Sequence, residues 1–267
     1  MKTVAAVAAT ALLATTAACA THAARPPIFA EASEGYLADD VLARLAEAAP
    51  PPPAAGSAVD QADKMASARL TALQDTDRWL LATSHAELRP PLALQHFDCA
   101  LGVRLGSADT PNLDRLMARV FHDAETVAER VKARTARARP VGDDPDRRAC
   151  QTLNAAGRAS RSYPSGSAAV GTAYAETFAA LAPDRAQAVR RIGHEIGVSR
   201  LVCAMHYPSD VEAGDVIGRA VVAEAAATPA FQADLPAARA ELAMARASGL
   251  TNPGCAAERA ALAAPIP

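Results

Sequence analysis

Along most of the chain, apolar positions recur at intervals of three and four, the spacing of one buried helix face. In Leu37–Ala49 they are Leu37, Val41, Leu42 and Leu45. Pro50–Pro53 stops that helix, and Ala54-Ala55-Gly56-Ser57 makes a flexible joint. Beyond the joint the spacing predicts helices over Leu70–Leu88, Leu113–Ala136, Ser165–Leu181, Pro183–Met205, Asp210–Ala227 and Phe231–Ala247. Each is bounded by Pro, Gly or a capping residue. No segment alternates as a strand would, and no repeat is present. The pattern describes an all-α protein. Apolar residues make up 51% of the chain and aromatics 4%. Alanine, the best helix former, supplies much of the apolar share, which implies closely packed helices with small side chains.

The first residues break this pattern. Lys2 is followed by an uncharged run from Thr3 to Thr21, apolar from Val4 to Ala14, with small residues around Ala18, Cys19, Ala20 and Ala23. That is the form of a signal peptide over residues 1–23, and it implies a periplasmic or secreted protein. A retained anchor is the alternative. A lipid anchor on Cys19 is another, since Thr16-Ala17-Ala18-Cys19 faintly resembles a lipoprotein box. Residues 24–57 then form a lead with a short helix and a Pro-rich linker, and 58–267 form one helical domain. No later segment is apolar and long enough to span a bilayer.

A net charge of −2 suggests neither a nucleic-acid surface nor an anionic membrane as partner. Whether Tyr36–Ala49 packs on the core or forms a homo-oligomer contact stays open. With Cys19 removed, Cys99, Cys150, Cys203 and Cys255 remain. An even count in an exported chain suggests two disulfides. Three pairings exist, and the sequential one, Cys99–Cys150 with Cys203–Cys255, closes moderate loops and is the one expected.

Three segments carry candidate chemistry. Lys132 stands before Arg139-Pro140 with six residues between, at the end of a predicted helix. A solvated basic helix end is the plain alternative. Tyr163-Pro164-Ser165-Gly166-Ser167 opens a helix, with Ser165 as N-cap and free N–H groups that suit an anion. An ordinary capped start would look the same. In the third, Ser199-Arg200 precedes His206 and Asp210. Pro208 disfavours helix at Tyr207, so His206 sits at a break between two helices. Ser209-x-x-Glu212 has capping-box form, which places Asp210 in the next helix's first turn. A carboxylate there would fix the imidazole tautomer and leave the other nitrogen nucleophilic. A structural histidine in a tight turn is the alternative. The neighbours His122 and Asp123 read as surface residues. No dense carboxylate or histidine cluster suggests a metal or other cofactor.

Taken together, Lys-x6-Arg-Pro, Pro-Ser-Gly-x and Ser-Arg-x5-His-x3-Asp resemble the signature of the class A bacterial nonspecific acid phosphatases. These belong to the type-2 phosphatidic acid phosphatase superfamily, with the vanadium haloperoxidases. The resemblance runs from about Ala82 to Ala227 and is close at Phe97-Asp98-Cys99 and from His206 to Gly214. It implies a compact helical bundle with the active site between core helices, acting on small soluble phosphate esters without a cofactor. It implies that Lys132, Arg139, Arg200, Ser165 and the Gly166 N–H bind phosphate, that His206 forms a phosphohistidine and that Asp210 orients it. Arg and Lys can supply the charge that phosphoryl transfer needs.

One residue departs from the pattern. The family's Pro-Ser-Gly-His ends here in Ser167, so the histidine that protonates the leaving oxygen is replaced. General acid catalysis is worth about 10²–10⁴-fold, and a serine hydroxyl is too weak an acid to supply it. The residues therefore imply phosphate monoester hydrolysis that is weak or restricted to good leaving groups. A catalytically impaired phosphate-binding homologue and a vanadate-dependent haloperoxidase are the alternatives.

Overall fold

The computed structural model of the chain describes residue 32 and residues 34–267. Residues 1–23, expected to form a signal peptide and including Cys19, and most of the lead to residue 33 lie outside the described residues. Among the described residues every regular element is helical. In chain order these are α1 (Asp39–Ala48), α2 (Ala58–Arg69), α3 (Asp77–Ser84), α4 (Asp98–Leu101), α5 (Pro111–Ala133) and α6 (Pro140–Asp143). They continue with α7 (Ala155–Ala159), α8 (Gly166–Leu181), α9 (Ala186–Val202), α10 (Pro208–Ala226), α11 (Pro229–Ala247) and α12 (Cys255–Ala263).

α8 is the axis of the molecule. It is buried on nearly every side from Ala168 to Leu181, as befits a helix apolar all round. α5, α9 and α10 pack directly on it, and α1 and α11 pack on α5. Tyr36, Leu37, Leu42 and Ala46 join this core, so the Tyr36–Ala49 segment packs on its own chain. Asp123 corrects an expectation: it is fully buried, not at the surface. Its carboxylate accepts the N–H groups of Tyr36 at 2.7 Å and Leu37 at 3.2 Å, which ties the lead to α5.

The helix seams around α8 are backbone against backbone. Gly193 of α9 faces Gly171, and Gly214 and Gly218 of α10 face the first turns of α8. A Cβ on Gly214 would lie 2.8 Å from the Ala168 Cβ and 3.0 Å from the Ala169 nitrogen. One on Gly218 would run into the Ala169 carbonyl oxygen. Glycine to alanine gains about 1 kcal/mol of helix propensity. Overpacking against rigid backbone reverses that sign, so Gly218→Ala is expected to destabilise by about 1–3 kcal/mol in urea melts.

Other expectations change in the folded chain. The disulfides are Cys99–Cys255 and Cys150–Cys203, not the sequential pairs. Tertiary packing decides the pairing. α12 docks on α3 and brings Cys255 to a Cα distance of 5.4 Å from Cys99. The loop before α7 crosses the end of α9 and brings Cys150 to 4.7 Å from Cys203. The predicted Leu70–Leu88 helix is interrupted: a 3₁₀ turn ends at Leu73, Asp75 takes a left-handed φ of 62°, and Thr76 caps α3. The N-cap of α10 is Tyr207 rather than Ser209. Pro208 occupies the first helical position, where proline is favoured, and the Asp210 carboxylate accepts the Tyr207 N–H at 2.8 Å.

Candidate active site

The three sequence segments converge at the N-terminal end of α8. α5 ends at Ala133 and carries Lys132; an extended stretch then carries Arg137 and Arg139 into α6. Ser165 caps α8 by accepting the Ala168 N–H, as the sequence suggests. α9 brings Arg200 in its last turn. It stops in a Schellman turn, with the Ala204 N–H donating to Leu201 and the Met205 N–H to the Arg200 carbonyl oxygen. Ala204 takes the left-handed position at φ 56°, a strained one for alanine, and turns the chain so that His206 points inward.

Lys132, Arg139, Gly166, Ser167, Arg200 and His206 line one cavity of about 350 Å³. Ser165 and Asp210 lie behind it, both fully buried. The Ser165 N–H donates to the Asp210 carbonyl oxygen at 2.9 Å, joining the start of α8 to the first turn of α10. Gly166 and Ser167 are the first residues of α8 and line the cavity, and at this helix end their N–H groups have no intrahelical acceptor.

The tautomer of His206 follows from its neighbours. The Arg139 Nη1 lies 3.0 Å from its Nε2, and a guanidinium N–H can only donate. Nε2 is therefore the bare nitrogen, and the ring proton sits on Nδ1, which faces Asp210 Oδ2 at 3.7 Å. That separation is longer than a hydrogen bond; catalytic contacts are often long in unliganded enzymes and tighten on loading. Burial, reinforced by Arg139, pushes the His206 pKa down to about 3. The imidazole is thus unprotonated far into the acid range. Burial alone would raise the Asp210 carboxyl, but its contact with His206 and the charge of Arg137 hold it below the ordinary carboxylate range.

The cations are arranged for an anion. Arg139 donates to Ser160 Oγ, to the Met205 carbonyl oxygen and to His206. Arg200 donates to Gln151 Oε1 at 2.6 Å, and its Nε is buried with no partner among the described residues. Neither guanidinium meets a carboxylate within ion-pair distance among the described residues. Burial first, then the charge of Arg139, pushes Arg200 down to about 10. Two buried, unneutralised guanidiniums are costly unless a negative ligand joins them. Lys132 is paired with Glu129 at the cavity wall.

Behind Asp210 stands a network the sequence reading missed. Arg137 donates to Asp210 Oδ1 at 2.8 Å, to Asp63 at 2.7 Å and to Asp60 at 3.2 Å, and also to Ser209 Oγ. Ser162 Oγ donates to Asp210 Oδ2 at 2.5 Å. Asp60 and Asp63 come from α2, and the only sequence signal for them is a pair of acidic residues one turn apart on a polar helix. Arg137→Leu would take the arginine partner from the buried Asp63 and Asp210, while Asp60 keeps Lys64. The expected result is a loss of about 3–5 kcal/mol in thermal melts, with kcat falling while Arg137→Lys keeps part of both.

The remaining described histidines are engaged elsewhere. His85 meets Ser199 Oγ, His96 the Glu87 carbonyl oxygen, His122 Asp123 and His194 Asp215. None of them lines the cavity. Among the described residues no group of three or more His, Cys, Asp or Glu side chains comes together as a metal site. No helix among them is long and apolar enough to cross a membrane.

Comparison with known proteins gives a consistent result. Residues 121–232 match the family model described as the PAP2 superfamily. An acid phosphatase of Zymomonas mobilis subsp. mobilis is 34% identical over 202 residues, which cover 75% of this chain and 76% of that protein. A non-specific acid phosphatase of Providencia stuartii is 30% identical over 204 residues, covering 73% and 79%. Among solved structures, a transmembrane PAP2-type phosphatidylglycerolphosphate phosphatase from Bacillus subtilis superposes with a TM-score of 0.46. It is 19% identical over 69% of this chain and 90% of that one.

Proposed function

Because the chain belongs to the PAP2 superfamily, among the non-specific acid phosphatases, and is a phosphatase, we propose that it hydrolyses small phosphate monoesters through a phosphohistidine on His206. The observation that carries this reading is the Nε2 of His206, without a proton of its own, held beside two buried guanidiniums that have no carboxylate partner among the described residues. Phosphoryl transfer depends mainly on positioning and on stabilising charge on the equatorial oxygens. Arg139, Arg200, Lys132 and the Gly166 and Ser167 N–H groups are placed to supply both, and Ser165 braces the loop that presents them.

In the first step Nε2 attacks phosphorus in line. The N–P bond forms, and the bond to the ester oxygen breaks with its electron pair on the leaving oxygen. Asp210 faces Nδ1 and stabilises the positive charge that develops on the ring. Water then attacks phosphorus, the N–P bond breaks and phosphate leaves. The cations already present provide the charge stabilisation, so the reaction needs no metal. Ser167 cannot protonate a poor leaving group near neutral pH, so aryl phosphates are expected to react faster than alkyl phosphates there. The signal-type N-terminus and the cysteine pairs favour a periplasmic or secreted location.

Rapid quenching with labelled aryl phosphate, in the presence of a chelator, tests the mechanism. A labelled enzyme stable to alkali and labile to acid is expected, as for an N–P bond. Ser167 alone would also suit a protein that binds phosphate without turnover. Phosphate affinity with no phosphoenzyme would establish that second reading instead.

A further inference from the structure

An in-line displacement fixes where the missing proton must arrive. His206 is at the cavity floor, 3% exposed, with Arg139 and Arg200 beside it. The leaving oxygen must therefore point away from the floor, toward the outer wall. That wall is built by α5 and by the segment after α3, and it holds three carboxylic acids: Glu87, Glu125 and Glu129. Phe121, Glu125, Glu129 and Lys132 recur every three or four residues, so one face of α5 presents them all to the cavity.

Two of the three acids are committed to cations. Glu87 accepts from the Arg89 Nε and backbone N–H through Oε1, and from Arg89 Nη2 through Oε2. The Arg89 guanidinium holds it below the ordinary range. Glu129 is ion-paired with Lys132, a phosphate-binding candidate. Glu125 is different. It lies one turn from Glu129, and burial, then the neighbouring Glu129 charge, raises its pKa. Lys132 and His122 on α5, and Arg89 across the cavity, oppose that rise without reversing it. The side chain lies exposed to solvent at the cavity rim, so it can reload from water.

We propose that Glu125 is a catalytic residue of this phosphatase: its carboxyl group delivers the proton to the leaving oxygen of alkyl phosphates, the task that Ser167 cannot perform. The inference rests on the phosphohistidine reading given above. As the N–P bond forms and the ester P–O bond breaks, the electron pair on the leaving oxygen takes the Glu125 proton and the alcohol departs. The Glu125 carboxylate then accepts a proton from the water that attacks the phosphohistidine. Phosphate leaves, Nε2 is bare again and Glu125 is recharged. A general acid must be protonated to act, so alkyl phosphate turnover belongs to acid pH. The preference for aryl over alkyl substrates should shrink as pH falls.

The test compares kcat/KM for p-nitrophenyl phosphate and glycerol phosphate from about pH 7.5 to about pH 5 in native enzyme, Glu125→Gln, Glu125→Asp and Glu129→Gln. Using the same two substrates in every variant removes the substrates' own titration. In the native enzyme the aryl-to-alkyl ratio is expected to fall about tenfold or more across that range. Glu125→Gln should lose about 10²-fold on glycerol phosphate, keep p-nitrophenyl phosphate within a few fold and show a pH-independent ratio. Glu125→Asp should recover part of the alkyl activity. Inorganic phosphate affinity, measured by calorimetry, should be unchanged in Glu125→Gln, which shows that the floor is intact.

Equal losses on both substrates, or an unchanged pH dependence of the ratio in Glu125→Gln, would overturn the proposal. So would a ratio flattened by Glu129→Gln instead. If native enzyme forms no phosphoenzyme from p-nitrophenyl phosphate, it is the phosphohistidine reading that has failed. If the phosphoenzyme forms but the ratio ignores Glu125, only this inference has.

Discussion

Replacing His206 with alanine is expected to lower kcat for p-nitrophenyl phosphate on the order of 10⁵-fold or more, the scale of deleting a nucleophile. The fold should survive. The side chain packs at a break between α9 and α10, and that break is held by backbone bonds from Ala204 and Met205 and by the Asp210 carboxylate on the Tyr207 N–H. Arg139 and Arg200 would remain, so inorganic phosphate should still bind, and removing the imidazole from two guanidiniums leaves more room for it. Loss of turnover with phosphate affinity kept is the expected pair of results. Initial rates and calorimetry on the same preparation check it. Turnover within tenfold of the native enzyme would mean that another group attacks phosphorus. The low pKa of His206 adds a further mark: kcat/KM in the native enzyme should show no loss from nucleophile protonation until well below pH 5, because the free ring binds its proton only near 3.

The second large effect runs upward. Ser167→His is expected to raise kcat for glycerol phosphate at about pH 7 by roughly 10²-fold, within the range general acid catalysis supplies. Ser167 is the second residue of α8, half-buried and on the cavity wall, so a larger side chain there can extend into open space. The helix N-terminus and the nearby cations would lower the pKa of an imidazolium at this place, making it a stronger acid, so the gain should grow as the pH falls. The gain should be small for p-nitrophenyl phosphate, whose leaving group needs little help. It should also appear in a Glu125→Gln background, since the new acid acts from the other wall. Equal gains for both substrates would point to better binding instead of proton delivery.

Much of this molecule was legible before its structure. Long helices show themselves because an alanine-rich chain has few competing local preferences, and α5, α8, α9, α10 and α11 lie close to where the spacing puts them. The first and third motifs were legible because each sits within about ten residues of chain. Arg139, Arg200 and His206 then meet because α5, α8 and α9 leave the same end of the bundle. What stayed hidden depends on contacts between distant segments. Arg137 reads as one more basic residue until α2 brings Asp60 and Asp63 against it. The cysteine pairing could not be derived, since Cys99 and Cys255 are 156 residues apart and only the docking of α12 joins them. Asp123 reads as surface beside His122 until the lead segment folds over it. α2 and α12 went unread as well. α2 has few apolar positions, and it owes its place to ion pairs through Asp60 and Asp63.

The glycine seam bears on how such a chain can change over generations. At Gly193, Gly214 and Gly218 any other amino acid inserts an atom where a neighbouring helix already lies. Nearly every amino-acid change at those codons is therefore a loss. The outer wall answers to a different rule. Phe121, Glu87 and Leu88 face an open cavity, and side chains of other shapes can stand there without moving a helix. Inheritance in this fold runs at two speeds. The helix seams around α8 are fixed by geometry, while wall positions such as Phe121 and Leu88, beside the proposed proton donor Glu125, are free to drift, so new substrate preferences can be sampled without moving a helix.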